Sequence, residues 1–225
     1  TPKEEGEPAA VIPGSFGYFA TTKYDVVFRG KAAHAGGSPE LGRNVMLAIA
    51  TAILNLYGIP RHSGGASRVN VGTVSAGSGR NVIADEGKME IEVRGETSEI
   101  NEFMENYAKN ILEGAANMHG CTCQISLMGA AHSMKSDEPL MERIRVVCEN
   151  HLGLPVSEKL AARGSGSEDA SYMMGRVQEQ GGQASFMRIL TKEAGPGHSR
   201  TFDIDESALP NAVKIFCGVA YDILK

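Results

Sequence analysis

Lys88-Met89-Glu90-Ile91-Glu92-Val93-Arg94 alternates apolar and polar side chains, and four residues later the pattern turns helical from Ser98 to Met118. In the first stretch Met89, Ile91 and Val93 face one side of a strand and Glu90, Glu92 and Arg94 the other, because successive side chains of an extended chain alternate. In the second, Ile100, Phe103, Met104, Tyr107, Ala108, Ile111, Leu112 and Ala115 follow the i, i+3, i+4 spacing, with Glu99, Glu102, Glu105 and Lys109 outside the stripe. A strand that is polar on one side only packs its helices on the apolar side. The pair therefore predicts a sheet with one open face and a helical layer behind the other.

Working outward, the flanking segments complete a pattern. Tyr24 to Arg29 alternates as a strand, and a helix from about Arg43 to Tyr57 places Met46, Ile49, Ala50, Ile53, Leu54 and Tyr57 on one face before stopping at Gly58 and Pro60. Strands follow at Ser67 to Ala76 and, after the second helix, at Cys121 to Leu127. The order βαββαβ predicts a ferredoxin-like sandwich, an α/β lid spanning residues 21–131. Residues 1–20, with Pro2, Pro8 and Pro13, read as a linker or extended lead-in, regular structure starting at Tyr24. Beyond Ala131, helices near 138–151, 168–180 and 206–224 alternate with short strands near 157–161 and 184–189. Sheets of the helix-covered class average about five or six strands, so residues 132–225 read as the C-terminal part of a larger α/β domain.

Composition narrows the function classes. The 22 Lys and Arg against 27 Asp and Glu give a formal charge of -5, which argues against a nucleic-acid footprint or a basic membrane-binding face. No apolar run reaches the roughly 18 residues of a membrane span, and the start Thr1-Pro2-Lys3-Glu4-Glu5 lacks the apolar stretch of a signal peptide. A cytoplasmic location is the expectation. Cys121 and Cys123 are spaced to point the same way from one strand, a packing pattern without a histidine at zinc-finger spacing.

Several places carry residues able to do chemistry. His34 stands in Gly30-Lys31-Ala32-Ala33-His34-Ala35-Gly36-Gly37, among small neighbours that leave its imidazole uncrowded; the plain alternative is a solvated turn histidine. Asn81, in Ser78-Gly79-Arg80-Asn81, offers an amide donor and acceptor to a substrate or serves the turn itself. Arg94 points from the open sheet face, either to take a carboxylate bidentately or to pair with Glu90 or Glu92. His198, in Ala194-Gly195-Pro196-Gly197-His198-Ser199, sits where a loop leaves a strand for a helix, and a neutral imidazole there suits zinc or manganese. Gly166 and Ser167, before a helix at Glu168-Asp169, either cradle an anion with backbone N–H groups or cap that helix. Asp203 and Asp205 read as turn and capping residues.

His34, Asn81, Gly166 and Ser167 fall in runs that resemble a known family. Phe19-Ala20-Thr21-Thr22-Lys23-Tyr24-Asp25, Ala32-Ala33-His34-Ala35-Gly36-Gly37, Gly65-Ala66-Ser67-Arg68-Val69-Asn70-Val71-Gly72, Ala76-Gly77-Ser78-Gly79-Arg80-Asn81-Val82 and Gly166-Ser167-Glu168-Asp169-Ala170 are similar to the second half of the dinuclear-metal amidohydrolases that include aminoacylase, hippurate hydrolase and glutamate carboxypeptidases. The resemblance implies a lid inserted in a metal-binding α/β domain and forming the contact of a homodimer, with a second type of protein chain in the assembly as a further expectation. It implies metal-dependent hydrolysis of the amide of an N-acyl amino acid, p-aminobenzoyl-glutamate being the favoured substrate over other acyl or benzoyl amino acids, with a non-catalytic dimerisation module as the alternative. Within it His34 stabilises the oxyanion, Asn81 and Arg94 bind the carboxylate end, Gly166 and Ser167 contact substrate, and His198 is a ligand to one of two zinc or manganese ions. The remaining ligands and the general-base glutamate lie ahead of the lid in such enzymes, so these 225 residues alone are expected to be inactive. His34 is expected to serve the neighbouring protomer.

Overall fold

The computed structural model describes residues 10–159, 161–164, 166–196 and 199–225. In chain order they form β1 (Val11–Ile12), β2 (Gly14–Phe16), β3 (Ala20–Arg29), α1 (Val45–Tyr57), β4 (Ser67–Ala76), β5 (Glu86–Gly95), α2 (Ser98–Met118) and β6 (Thr122–Ala131). There follow α3 (Glu138–Val146), β7 (Ala161–Arg163), α4 (Ala170–Glu179), β8 (Arg188–Ile189), β9 (Glu193–Ala194), β10 (Asp203–Ile204) and α5 (Leu209–Leu224). Two compact units result: Phe19–Ser133, and Met134–Lys225 together with the described residues before Phe19. No described helix is long and apolar enough to cross a membrane.

The first unit is the βαββαβ sandwich, its antiparallel sheet ordered β4-β5-β3-β6. Met89, Ile91 and Val93 of β5 and Tyr24, Val26 and Phe28 of β3 are buried against both helices, as the alternation predicts. Asn44 opens α1 by accepting the Met46 N–H at 3.0 Å, and Thr97 opens α2 through the Ile100 N–H at 3.3 Å, each satisfying a donor that the first turn leaves unpaired. Gly95 is required where β5 meets α2, because a Cβ there would collide with the backbone of Ile100 and Asn101.

The face of α1 differs from the expectation. Val45, Ala48, Ile49, Ala52 and Leu56 are buried, whereas Met46, Leu47, Leu54 and Tyr57 are exposed. The helix is apolar on nearly every side, so periodicity alone did not choose the stripe. Small Ala48 and Ala52 let the helix lie close to the sheet, and the larger residues are left on the outside. Cys121 and Cys123 pack into the same core, and all four cysteines are free.

The lead-in reading of residues 1–20 is overturned for residues 10–18. β1 pairs with β8, β2 runs parallel to β7, and Val11 and Ser15 are fully buried. The Ser15 N–H donates to Ser136 Oγ at 2.9 Å. Strands of two and three residues on either side of a proline carry no period, so the segment looked like a linker. Regular structure also begins before Tyr24, since β3 starts at Ala20. In this second unit Val11, Ile144, Val147, Cys148, Ile215 and Val219 make one small core, and Met134, Met174 and Ala184 another. Its sheets are two-stranded pairs among the described residues, and the predicted strand at 184–189 shrinks to Arg188–Ile189. A one-and-a-half-turn π-helical segment, Val147–Leu152, ends the predicted 138–151 helix at Gly153, which takes the left-handed conformation at φ 63°.

Candidate functional site

The loop after β3 is stitched to the loop before β5. Gly30 N–H donates to Asp85 O at 2.8 Å, Ile83 N–H to Ala33 O at 2.9 Å and Ala35 N–H to Asn81 O at 3.0 Å, with a bridge between His34 and Val82. Two segments 47 residues apart in sequence, by the numbers of His34 and Asn81, are thereby fixed side by side. The His34 ring is oriented as well as placed. Its Nδ1 accepts the backbone N–H groups of Gly36 at 3.1 Å and Gly37 at 2.9 Å. An acceptor nitrogen carries no proton, so these donors assign the tautomer with the proton on Nε2. Both His34 and Asn81 are exposed, and the Asn81 amide has no hydrogen-bond partner among the described residues. The arrangement presents an imidazole N–H and an amide to the outside, two groups suited to a carbonyl oxygen or an oxyanion.

Arg94 occupies the opposite end of the sheet. Residues Glu86 and Arg94 are the start and near-end of β5, eight residues apart by number, about 27 Å of antiparallel strand. In register it stands between Thr21 of β3 and Arg68 of β4. Its Nε and Nη2 pair with Glu92 at 3.0 and 3.1 Å, the intrastrand partner that the sequence left open. Thr21 Oγ1 also donates to Glu92, at 2.9 Å. Burial raises the cost of charging Glu92, but the hydrogen bonds from Arg94 and Thr21 outweigh it and hold the carboxyl below its usual range. A guanidinium carries five N–H donors, and this contact uses one edge of the fork. The Nη1 edge makes no hydrogen bond among the described residues.

The lid brings His34 and Asn81 together at one end of its sheet, whereas Arg94, which the resemblance grouped with Asn81 at the carboxylate end, stands at the other. Sequence reasoning passed over two features. Arg68 lies directly across from Arg94, its guanidinium 5.1 Å from the centroid of the Phe19 ring. The alternation of β4 against β5 carried that signal, once their register was known. Under the helices, Glu105 accepts from Thr22 and, at 2.7 Å, from Tyr24 OH, with Asn101 Nδ2 at 2.9 Å and Lys109 at 3.3 Å. The Oδ1 of the buried Asn101 has no partner among the described residues.

In the second unit, Gly166 forms a bend and Ser167 follows it in the segment that leads into α4. No side-chain cap from Asp169 closes that helix. Burial, and then the adjacent Asp169, push the Glu168 carboxyl upward. The chain approaches closely here, since a Cβ on Gly164 would strike the Tyr18 ring. Asp205 caps the turn before α5 by accepting the Ser207 N–H at 3.0 Å, as expected. His198 lies outside the described residues. Among the described residues no three His, Cys, Asp or Glu side chains converge to hold a metal ion, so they do not by themselves fit a dinuclear centre.

Comparison with known proteins agrees with this fold. Residues 17–119 match the M20 peptidase dimerisation domain. The chain is 43% identical over 210 residues to indole-3-acetyl-aspartic acid hydrolase of Enterobacter agglomerans, covering 93% of this chain and 48% of that protein. It is 41% identical over 216 residues to a p-aminobenzoyl-glutamate hydrolase subunit of Escherichia coli K12, covering 96% of this chain and 50% of that protein. The crystal structure of an aminobenzoyl-glutamate utilization protein from Klebsiella pneumoniae superposes with a TM-score of 0.82 at 38% identity, over 96% of this chain and 51% of that one. The chain spans about half the length of the relatives it matches.

Proposed function

We propose that this chain, whose residues 17–119 carry an M20 peptidase dimerisation domain, belongs to a hydrolase that cleaves the amide bond of N-acyl amino acids. The substrate class is an aromatic acyl group on an acidic amino acid, p-aminobenzoyl-glutamate first and indole-3-acetyl-aspartate second, since the two hydrolases above carry those names. The observation that carries the reading is the His34 ring, held at Nδ1 by Gly36 and Gly37 so that Nε2–H faces outward. A donor fixed before the substrate arrives stabilises a developing oxyanion without reorganising. Asn81 supplies the neighbouring amide, and the free edge of Arg94 takes the α-carboxylate. Gly166 and Ser167 are assigned to substrate contact on the second unit. Two divalent ions, zinc or manganese, belong to the complete protein, with His198 as the ligand this chain offers.

The separation within the lid gives the reading its quaternary form. His34 and Arg94 stand at opposite ends of one sheet, so one substrate meets both only if they come from two protomers. A homodimer built through the lid achieves this, His34 and Asn81 of one protomer serving its partner. The exposed Met46, Leu47, Leu54 and Tyr57 of α1, beside edge strand β4, are the surface assigned to that contact.

A panel of p-aminobenzoyl-glutamate, indole-3-acetyl-aspartate and their alanyl counterparts, offered with zinc or manganese to the gene product containing this chain, tests the reading. Turnover with preference for the acidic conjugates supports it. Hydrolysis of the neutral conjugates alone contradicts the acidic substrate class, and a stable dimer without turnover favours a dimerisation module.

A further inference from the structure

Arg68 and Arg94 are directly opposed across the β4–β5 pair, which sets their Cα atoms about 4.5–5.5 Å apart and sends both side chains to the open face. Like charges in this position repel, unless each finds a counter-charge. Arg94 has one in Glu92. Arg68 is exposed and has no carboxylate partner among the described residues; its guanidinium rests instead near the Phe19 ring, 5.1 Å from the centroid. An aromatic platform holds the planar group by its face and leaves its N–H edge open. The pair of strands thus presents two arginines on one face, Arg94 paired with Glu92 and Arg68 with no carboxylate partner among the described residues.

We propose that Arg68 determines specificity for a dicarboxylic leaving group, receiving its side-chain carboxylate while Arg94 receives the α-carboxylate. The proposal rests on the reading given under Proposed function. Every amino-acid leaving group carries an α-carboxylate, so Arg94 alone cannot tell glutamate or aspartate from alanine. The second carboxylate of an acidic residue, joined to the first by a short carbon chain, matches a second cation one strand away. Phe19 acts as a positioning residue for Arg68.

The test compares wild type, Arg68→Ala, Arg68→Lys and Arg94→Ala in the native gene product, using p-aminobenzoyl-glutamate and p-aminobenzoyl-alanine. Arg68→Ala lowers kcat/KM for the glutamyl conjugate about 10- to 100-fold, the range of a lost charge-assisted hydrogen bond, and leaves the alanyl conjugate within about threefold. Arg68→Lys recovers part of the glutamyl rate, whereas Arg94→Ala depresses both substrates. Equal losses on both substrates with Arg68→Ala, or no loss on either, overturn the proposal. If Arg68→Ala does not fold, as judged by its melting transition, Arg68→Lys and Arg68→Gln are compared in its place, and an unchanged glutamyl preference in Arg68→Gln overturns it. Absence of turnover in wild type contradicts the hydrolase reading instead. Calorimetric binding of the same two conjugates then decides for Arg68: loss of glutamyl preference on substitution supports it, and unchanged preference or no binding to wild type overturns it.

Discussion

His34 Nδ1 is the acceptor of the Gly37 N–H at 2.9 Å, and this bond determines which ring nitrogen is left to act. On the proposed reading, a ring that donates through Nε2 serves as a donor to oxygen and not as a metal ligand. Replacing His34 by Ala in the native gene product lowers kcat about 100- to 1000-fold, the cost of one oxyanion donor. Its metal content by elemental analysis stays unchanged, while His198→Ala loses metal. Metal loss in the His34 variant, or unaltered kcat, contradicts this assignment.

Glu105, like Glu92, makes the lid sensitive to acid. Burial opposes its charge, but hydrogen bonds from Thr22, Tyr24 and Lys109, with the Lys109 charge, prevail and hold the carboxyl below its ordinary range. The native state therefore binds this proton less readily than the unfolded chain. Its contribution is complete above the unfolded value of about 4.3 and is lost as pH falls through the lower native value. Glu105→Gln destabilises the protein by about 1–2 kcal/mol at pH 7, and the difference from wild type shrinks toward pH 3. Thermal melts of both proteins across that range check it; a difference independent of pH refutes it.

Leu54 is 77% exposed on α1, so an arginine there disturbs no core contact. Leu54→Arg shifts the native gene product from dimer to monomer in sedimentation velocity, with the far-ultraviolet circular dichroism unchanged. A dimer of undiminished affinity excludes this face from the contact.

What the sequence disclosed depended on period. β5 and α2 have clean periods of two and 3.6, and the pattern assigns both faces correctly, as Met89, Ile91, Val93 and Leu112 show. On α1, where Met46, Leu47, Ile49, Leu54 and Leu56 leave no polar side, packing against the sheet selected the buried stripe and the pattern misassigned it. β1 and β2 are too short to show any period, and their partners β8 and β7 lie far along the chain. In the site, residue types marked His34, Asn81 and Arg94. Only strand register revealed that Arg94 stands at the other end of the sheet, beside Arg68.

That separation carries the central claim that each site draws on two protomers, and mixing of variant protomers tests it most directly. Purified His34→Ala and Arg94→Ala proteins, each nearly inactive, are dissociated, mixed in equal amounts and reassociated. In a two-fold dimer half of the mixed population is hybrid, and each hybrid holds one site with both native residues, so activity returns to about a quarter of wild type. Hybrids that form but show no more activity than the two parents would mean that His34 and Arg94 do not meet across the dimer.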